Sequence, residues 1–145
     1  MIHLYLTPED SDEIELASTF EELHGVALRV IPRIPGPVGM VCGPISSGGK
    51  ASVEENLSEL SQAVEKLRQE GNNIFSQLSF EPAMARIKRT AYCKGDVHLL
   101  EAFYLPLFEA GLIHKLYFLP SWETSDGASW EHAQAKRLGI EVKYL

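Results

Sequence analysis

The sequence predicts an α/β protein: a flavodoxin- or Rossmann-like three-layer sandwich with a mainly parallel sheet and helices on both faces. Three observations carry that expectation. Short apolar runs alternate with amphipathic stretches along the chain, the pattern of repeated strand and helix units. Glycines follow the amphipathic stretches at Gly25, Gly71, Gly111 and Gly139, where helices would end. A glycine- and serine-rich loop, Gly43 to Gly49, joins an apolar run directly to the best-formed helical stretch.

Taken in order, Ile2 to Leu6 reads as a short strand. Thr7, Pro8, Glu9 and Asp10 then supply a cap, a first-turn proline and early acids for a helix. Ile14, Ala17, Phe20 and Leu23 give that helix one apolar stripe, with Gly25 as its stop and Val26 to Ile31 as a buried strand, so the chain opens β-α-β. Pro32 to Pro37 holds too many prolines for regular structure and reads as an extended connector and hinge between two halves of one domain. Gly39 to Cys42 is the next strand, leading into the Gly43 loop.

The following helix is the clearest element: Ser52 and Glu55 stand at capping-box spacing, and Val53, Leu57, Leu60, Val64 and Leu67 recur at four- and three-residue steps. Asn73 to Gln77 is a strand candidate, and Leu78 to Asp96 reads as a long irregular loop of the kind that often forms a lid. Val97 to Ala110 suits a largely buried helix, Lys115 to Leu119 a strand, Gly127 to Leu138 a helix and Ile140 to Tyr144 a last strand.

The chain has 145 residues, the size of one domain. Its 45% hydrophobic and 23% charged content is ordinary for a folded protein, and no segment is apolar for long enough to span a bilayer. The start lacks a secretory signal pattern, so a cytoplasmic location is expected. Cys42 and Cys93 have no CxxC partner and the five histidines no ligand spacing, so neither a zinc site nor a disulfide framework is expected, and no cofactor. A net charge of −7 opposes a duplex nucleic-acid surface. Arg86-Ile87-Lys88-Arg89 is the local basic cluster and reads as a solvated loop.

Ligands of open parallel sheets bind where strands turn into helices. Two segments stand there. In the first, Gly43, Pro44, Ile45 and Ser46 open a loop whose glycines permit close approach and whose serines offer hydroxyls before a helix start; a plain strand-to-helix turn has the same pattern. The second runs from Leu119-Pro120-Ser121-Trp122 through Ser125 and Gly127 to Glu131. Trp122 and Trp130 offer faces for a nucleobase or packing surfaces for a helix. His132 is a candidate proton donor beside Glu131, although adjacent helix residues point apart.

A strand ending in Leu-Pro-x-Trp, then a serine, a glycine and a helical glutamate, resembles the C-terminal signature of the nucleoside 2-deoxyribosyltransferase and 2′-deoxynucleoside 5′-phosphate N-hydrolase superfamily. Val41-Cys42-Gly43-Pro44-Ile45-Ser46 is similar to that family's opening strand and loop. The resemblance spans about Gly39 to Leu145, leaving residues 1–37 as an extension that would enlarge the sheet or aid self-association. It implies that Glu131 attacks the anomeric carbon of a nucleoside or nucleotide, that an early-helix position keeps it ionised, and that Ser125 contacts a 5′-phosphate. It also implies homo-oligomers. Two positions depart from the pattern: Met40 stands where a tyrosine is expected, and no aspartate lies in Val97 to Gly111, where Pro106 occupies its place and Glu101 or Glu109 would have to substitute. The expectation is therefore N-glycosidic cleavage or transfer through Glu131, against two rivals: a non-catalytic nucleotide-binding module of the same fold, and an unrelated domain acting through protein contacts.

Overall fold

A computed structural model describes residues 4–50 and 52–145 of the chain. Four parallel strands form one sheet in the order β2-β1-β3-β4: β1 (Val38–Cys42), β2 (Asn73–Ile74), β3 (Lys115–Phe118) and β4 (Glu141–Tyr144). β1 is buried throughout and pairs in register with β3 from Gly39 opposite Lys115 to Cys42 opposite Phe118. Helix α3 (Val53–Gln69) covers one face, where Leu60, Val64 and Leu67 meet Val41, Ile74 and Tyr117. On the other face Met40, Cys42, Leu116 and Phe118 enter a larger core built from the remaining helices. Alternate residues of β1 and β3 thus feed two cores, the period of two that a strand imposes. The α/β three-layer expectation holds.

The N-terminal segment departs from the β-α-β reading. Ile2 and His3 lie outside the described residues, and Leu4 and Tyr5 form a turn rather than the end of a strand. Two helices follow, α1 (Pro8–Leu16) and α2 (Phe20–Val30). Thr19 breaks the single predicted helix: its hydroxyl accepts from the Glu22 N–H (3.1 Å) while the Ser18 N–H donates to the Glu22 carboxylate (3.0 Å), so a fresh helix starts there. Gly25 does not end α2. It is an interior residue, and Val26 to Val30, read as a strand, continues the helix because Phe20, Leu23, Ala27 and Val30 fall on one fully buried face. Among the described residues the extension therefore adds helices and no strand.

Asp10 ties this hairpin together. Its carboxylate accepts from the Thr7 N–H (2.9 Å) and from the guanidiniums of Arg29 (3.1 Å) and Arg33 (2.5 Å), which cover it to 1% exposure. Burial alone would raise its pKa, but the Thr7 N–H and the two arginines hold the carboxyl well below the usual range. The proline-rich connector begins with one 3-10 turn, Ile31–Arg33, and Ile34 is buried. Residues on both sides of it share one core, so it is no hinge between separate halves.

The predicted loop from Leu78 to Asp96 holds a 3-10 turn, Gln77–Ser79, and helix α4 (Glu81–Lys88) with Ala83, Met84 and Ile87 buried. Arg86 projects from α4 to donate to the carbonyls of Ala17 (2.6 Å), Ile14 (3.1 Å) and Glu15 (3.0 Å), capping the end of α1. That anchored helix replaces both the lid and the solvated basic loop. The next helical stretch is a π-turn, Leu100–Tyr104, passing into α5 (Leu105–Glu109). The cause is local: Pro106 lacks an N–H, and the Leu105 N–H reaches back five residues to the Leu100 carbonyl. Helix α6 (Asp126–Leu138) ends at Gly139 in the left-handed conformation. No helix among the described residues is long and apolar enough to cross a membrane.

Candidate functional site

The strand order reverses its direction of growth between β1 and β3. From β1 the chain moves outward through α3 to β2, and from β3 it moves the opposite way through α6 to β4. The loops leaving β1 and β3 diverge at that point and leave a crevice at the carboxyl ends of the two central strands.

Each loop is built to hold its shape. Asn56 on α3 is 5% exposed and clamps the first loop: its side-chain amide donates to the carbonyls of Ile45 (3.0 Å) and Gly48 (3.2 Å) and accepts from the Lys50 N–H (2.8 Å). The second loop docks on the first. Gly49 N–H donates to the Thr124 hydroxyl (2.8 Å), and the Asp126 N–H donates to the Ser47 hydroxyl (3.3 Å). Gly48 has φ +69°, and a side-chain carbon there would lie 2.1 Å from the Thr124 carbonyl oxygen, so only glycine serves. Gly43 passes so near Leu119 that a Cβ would meet its Cδ1 at 2.5 Å.

Between these loops and α4 lies a small cleft of about 70 Å³ that opens to solvent. Its lining joins Gly43, Ser46, Ser47, Ser125 and Gly127 to Leu99, Leu100, Tyr104, Gln77, Glu81 and Lys88. Glu131 reaches the cleft from α6 and is 6% exposed.

The acid's environment is unlike the expected one. Glu131 is the sixth residue of α6, beyond the first turn where a helix dipole acts, and burial pushes its pKa up to about 8. A hydrogen bond from the Cys42 thiol opposes the rise, and the nearby Glu81 carboxyl adds to it. At neutral pH the resting Glu131 is mostly protonated. Burial also raises Glu81, countered by Lys88, and the buried Tyr104 hydroxyl is pushed well up by burial and then by Glu81 and Glu131. Cys42, Glu81, Tyr104 and Glu131 are therefore one electrostatically coupled group.

Gln77 is 2% exposed. Its side-chain nitrogen must face the Val41 carbonyl, to which it donates at 2.7 Å, and this leaves its buried Oε1 without a partner among the described residues, on a side chain that lines the cleft. A buried acceptor without a donor costs about 1–3 kcal/mol, which a ligand N–H or O–H would relieve.

Of the residues the sequence singled out, Gly43, Ile45, Ser46, Ser125, Gly127 and Glu131 line the cleft together. Ser125 is also the N-cap of α6, accepting from the Ala128 N–H at 3.1 Å. Pro44 is buried behind the loop against Gly49. Trp122 lies off the cleft, stacked on His132 at 4.1 Å and edge-on to Phe118, and Trp130 stacks on Phe108. His132 meets the Tyr144 hydroxyl at 2.7 Å, away from Glu131. Met40 is sunk in the core; Glu101 is exposed, and Glu109 pairs with Arg137 at the surface. Neither lines the cleft. The second carboxyl in the cleft is Glu81, which the sequence reading passed over with Gln77, Tyr104 and Lys88.

A family model described as a domain of unknown function, DUF4406, matches residues 40–144. The chain belongs to that family. No curated protein and no solved structure matches it.

Proposed function

We propose that this member of the DUF4406 family cleaves or transfers the N-glycosidic bond of a nucleoside or nucleoside 5′-monophosphate, with Glu131 as nucleophile. The observation that supports this best is the buried Glu131 carboxyl in a cleft that also carries serines, glycines and apolar side chains. The serines and glycines suit a sugar and its 5′ substituent, and Leu99, Leu100 and Tyr104 suit a flat base. An ionised Glu131 forms a bond to the anomeric carbon as the carbon–nitrogen bond breaks, and that bond's electron pair leaves with the base. Water or a second base then displaces the carboxylate. The developing positive charge on the sugar favours the ionised form of Glu131 at the moment when the reaction needs it.

One observation favours a second reading, a nucleotide-binding module. A carboxyl held neutral by burial is a hydrogen-bond donor, and with the unpartnered Gln77 Oε1 it makes a recognition surface for a neutral ligand.

One experiment separates the two. Purified protein is incubated with a panel of nucleosides and nucleoside 5′-monophosphates, and free base is quantified alongside Glu131→Gln. Release that disappears in Glu131→Gln supports the enzyme. Absence of release combined with a raised melting temperature for one compound supports the binding module. Neither release nor a shift leaves the domain that acts through protein contacts.

A further inference from the structure

We infer that Glu81 is the acid that protonates the departing base, an inference that rests on the glycosidic reading of the cleft. Glu81 lines the same cleft as Glu131 but comes from a different element, the first residue of α4. It lines the cleft together with Gln77, Lys88, Leu99, Leu100 and Tyr104. A sugar held by the serines beside Glu131 leaves its base against these groups. Among them Glu81 is the carboxyl able to give a proton to a ring nitrogen.

The placement is rigid. Phe80, just before Glu81, is fully buried between Phe75 (5.8 Å) and Phe103 (5.3 Å), and Arg86 one turn later is fastened to three carbonyls at the end of α1. The start of α4 is held at both ends, as a proton donor requires. The groups facing Glu81 are Glu131, Tyr104 and Lys88. Two carboxyls in one recess resist double ionisation, so the pair retains a proton, which rests on Glu131 in the free protein and passes to Glu81 in the reactive arrangement, leaving Glu131 ionised.

The proton balance closes over the cycle. The Glu81 O–H proton moves to a base nitrogen as the carbon–nitrogen bond breaks and Glu131 bonds to the anomeric carbon. Water then gives a proton to the Glu81 carboxylate while its oxygen displaces Glu131. The products are free sugar and neutral base, and both glutamates return to their starting states.

The test compares wild type, Glu81→Gln and Glu81→Asp on two purine nucleosides. One is an ordinary neutral purine nucleoside; the other is N7-methylated, carries its positive charge already and leaves without a proton. For Glu81→Gln the expected result is a loss of about 100-fold or more on the neutral substrate, the usual worth of a general acid, and under about tenfold on the methylated one. Glu81→Asp recovers part of the loss. Equal losses on both substrates, or no loss on either, overturn the assignment. If wild type releases base neither from these two substrates nor from any member of the nucleoside and nucleoside 5′-monophosphate panel, the glycosidic reading itself fails and the role of Glu81 falls with it. Release by wild type with the wrong substrate pattern in Glu81→Gln removes the Glu81 assignment alone.

Discussion

The Cys42 thiol, at the last residue of β1, donates a hydrogen bond to the Glu131 carboxyl on α6. Burial first, and then this acid, push the Cys42 thiol well above its ordinary pKa, so it stays protonated and inert although it lies against Glu131 of the cleft. In native protein near neutral pH, a thiol-directed alkylating reagent is expected to modify the partly exposed Cys93 and spare Cys42 until denaturant is added. Mass spectrometry of the digested protein reads the outcome; rapid native labelling of Cys42 contradicts it.

Glu131 makes stability fall as pH rises. Its folded pKa of about 8 lies above the ordinary 4.5, so between these values the folded state holds a proton that the unfolded state has released. Stability is full below the unfolded value and is lost as pH climbs through the folded one, to the extent of a few kcal/mol. Glu131→Gln abolishes this titration and keeps the shape. Denaturant melts at about pH 5 and about pH 9 are expected to show the variant gaining on wild type at the higher pH only.

Asn56→Ala leaves two carbonyls and one N–H of the first loop without their shared partner. A loss of about 1–3 kcal/mol is expected, together with weaker binding of any cleft ligand, because Ser46 and Ser47 lose their frame. A thermal melt and a ligand titration check both effects.

Gly48→Ala is expected to act on the site more than on the core. It meets both an unfavourable φ and the Thr124 carbonyl, so the two loops must part. A modest fall in melting temperature with a loss of ligand response of tenfold or more is the predicted pattern, measured by calorimetry with and without ligand.

Asp10→Asn weakens the helical hairpin by about 1–2 kcal/mol, a figure reduced because both arginines are partly exposed. The Asp10 pKa is depressed in the folded state, so its contribution is present above the unfolded value and lost as pH falls through the folded one. Wild type and variant are thus expected to differ at neutral pH and to converge in strong acid.

The readable parts of the fold are those with local causes. α3 announces itself through Ser52 capping the Glu55 N–H and through a long stripe, and β1 through its run into a glycine loop. α2 was hidden because Val26 to Ile31 has the composition of a strand; its helical face emerges only when Phe20 and Leu23 are counted with Ala27 and Val30 across Gly25. Gly25 has open space around it and pays only the modest entropy cost of an interior glycine. α4 was hidden by its length of eight residues and the lack of a side-chain cap. Glu81 vanished with it, since an acid before a proline reads as an ordinary first-turn residue; Ala83, Met84 and Ile87 at three- and four-residue steps were the available signal. Glu131 was legible from its motif, but its charge state depends on Cys42 and Glu81, which only the tertiary fold brings near.

The docking of Gly48 and Gly49 on Thr124 separates the aperture of the cleft from its chemistry. Backbone atoms and the hydroxyls of Thr124 and Ser47 fix how far apart the two rims stand, while Ser46, Leu99, Leu100 and Gln77 line the cleft. Exchanging those four groups changes what fits and what is recognised while the gape stays constant, so the scaffold can be retuned to a new ligand one lining residue at a time.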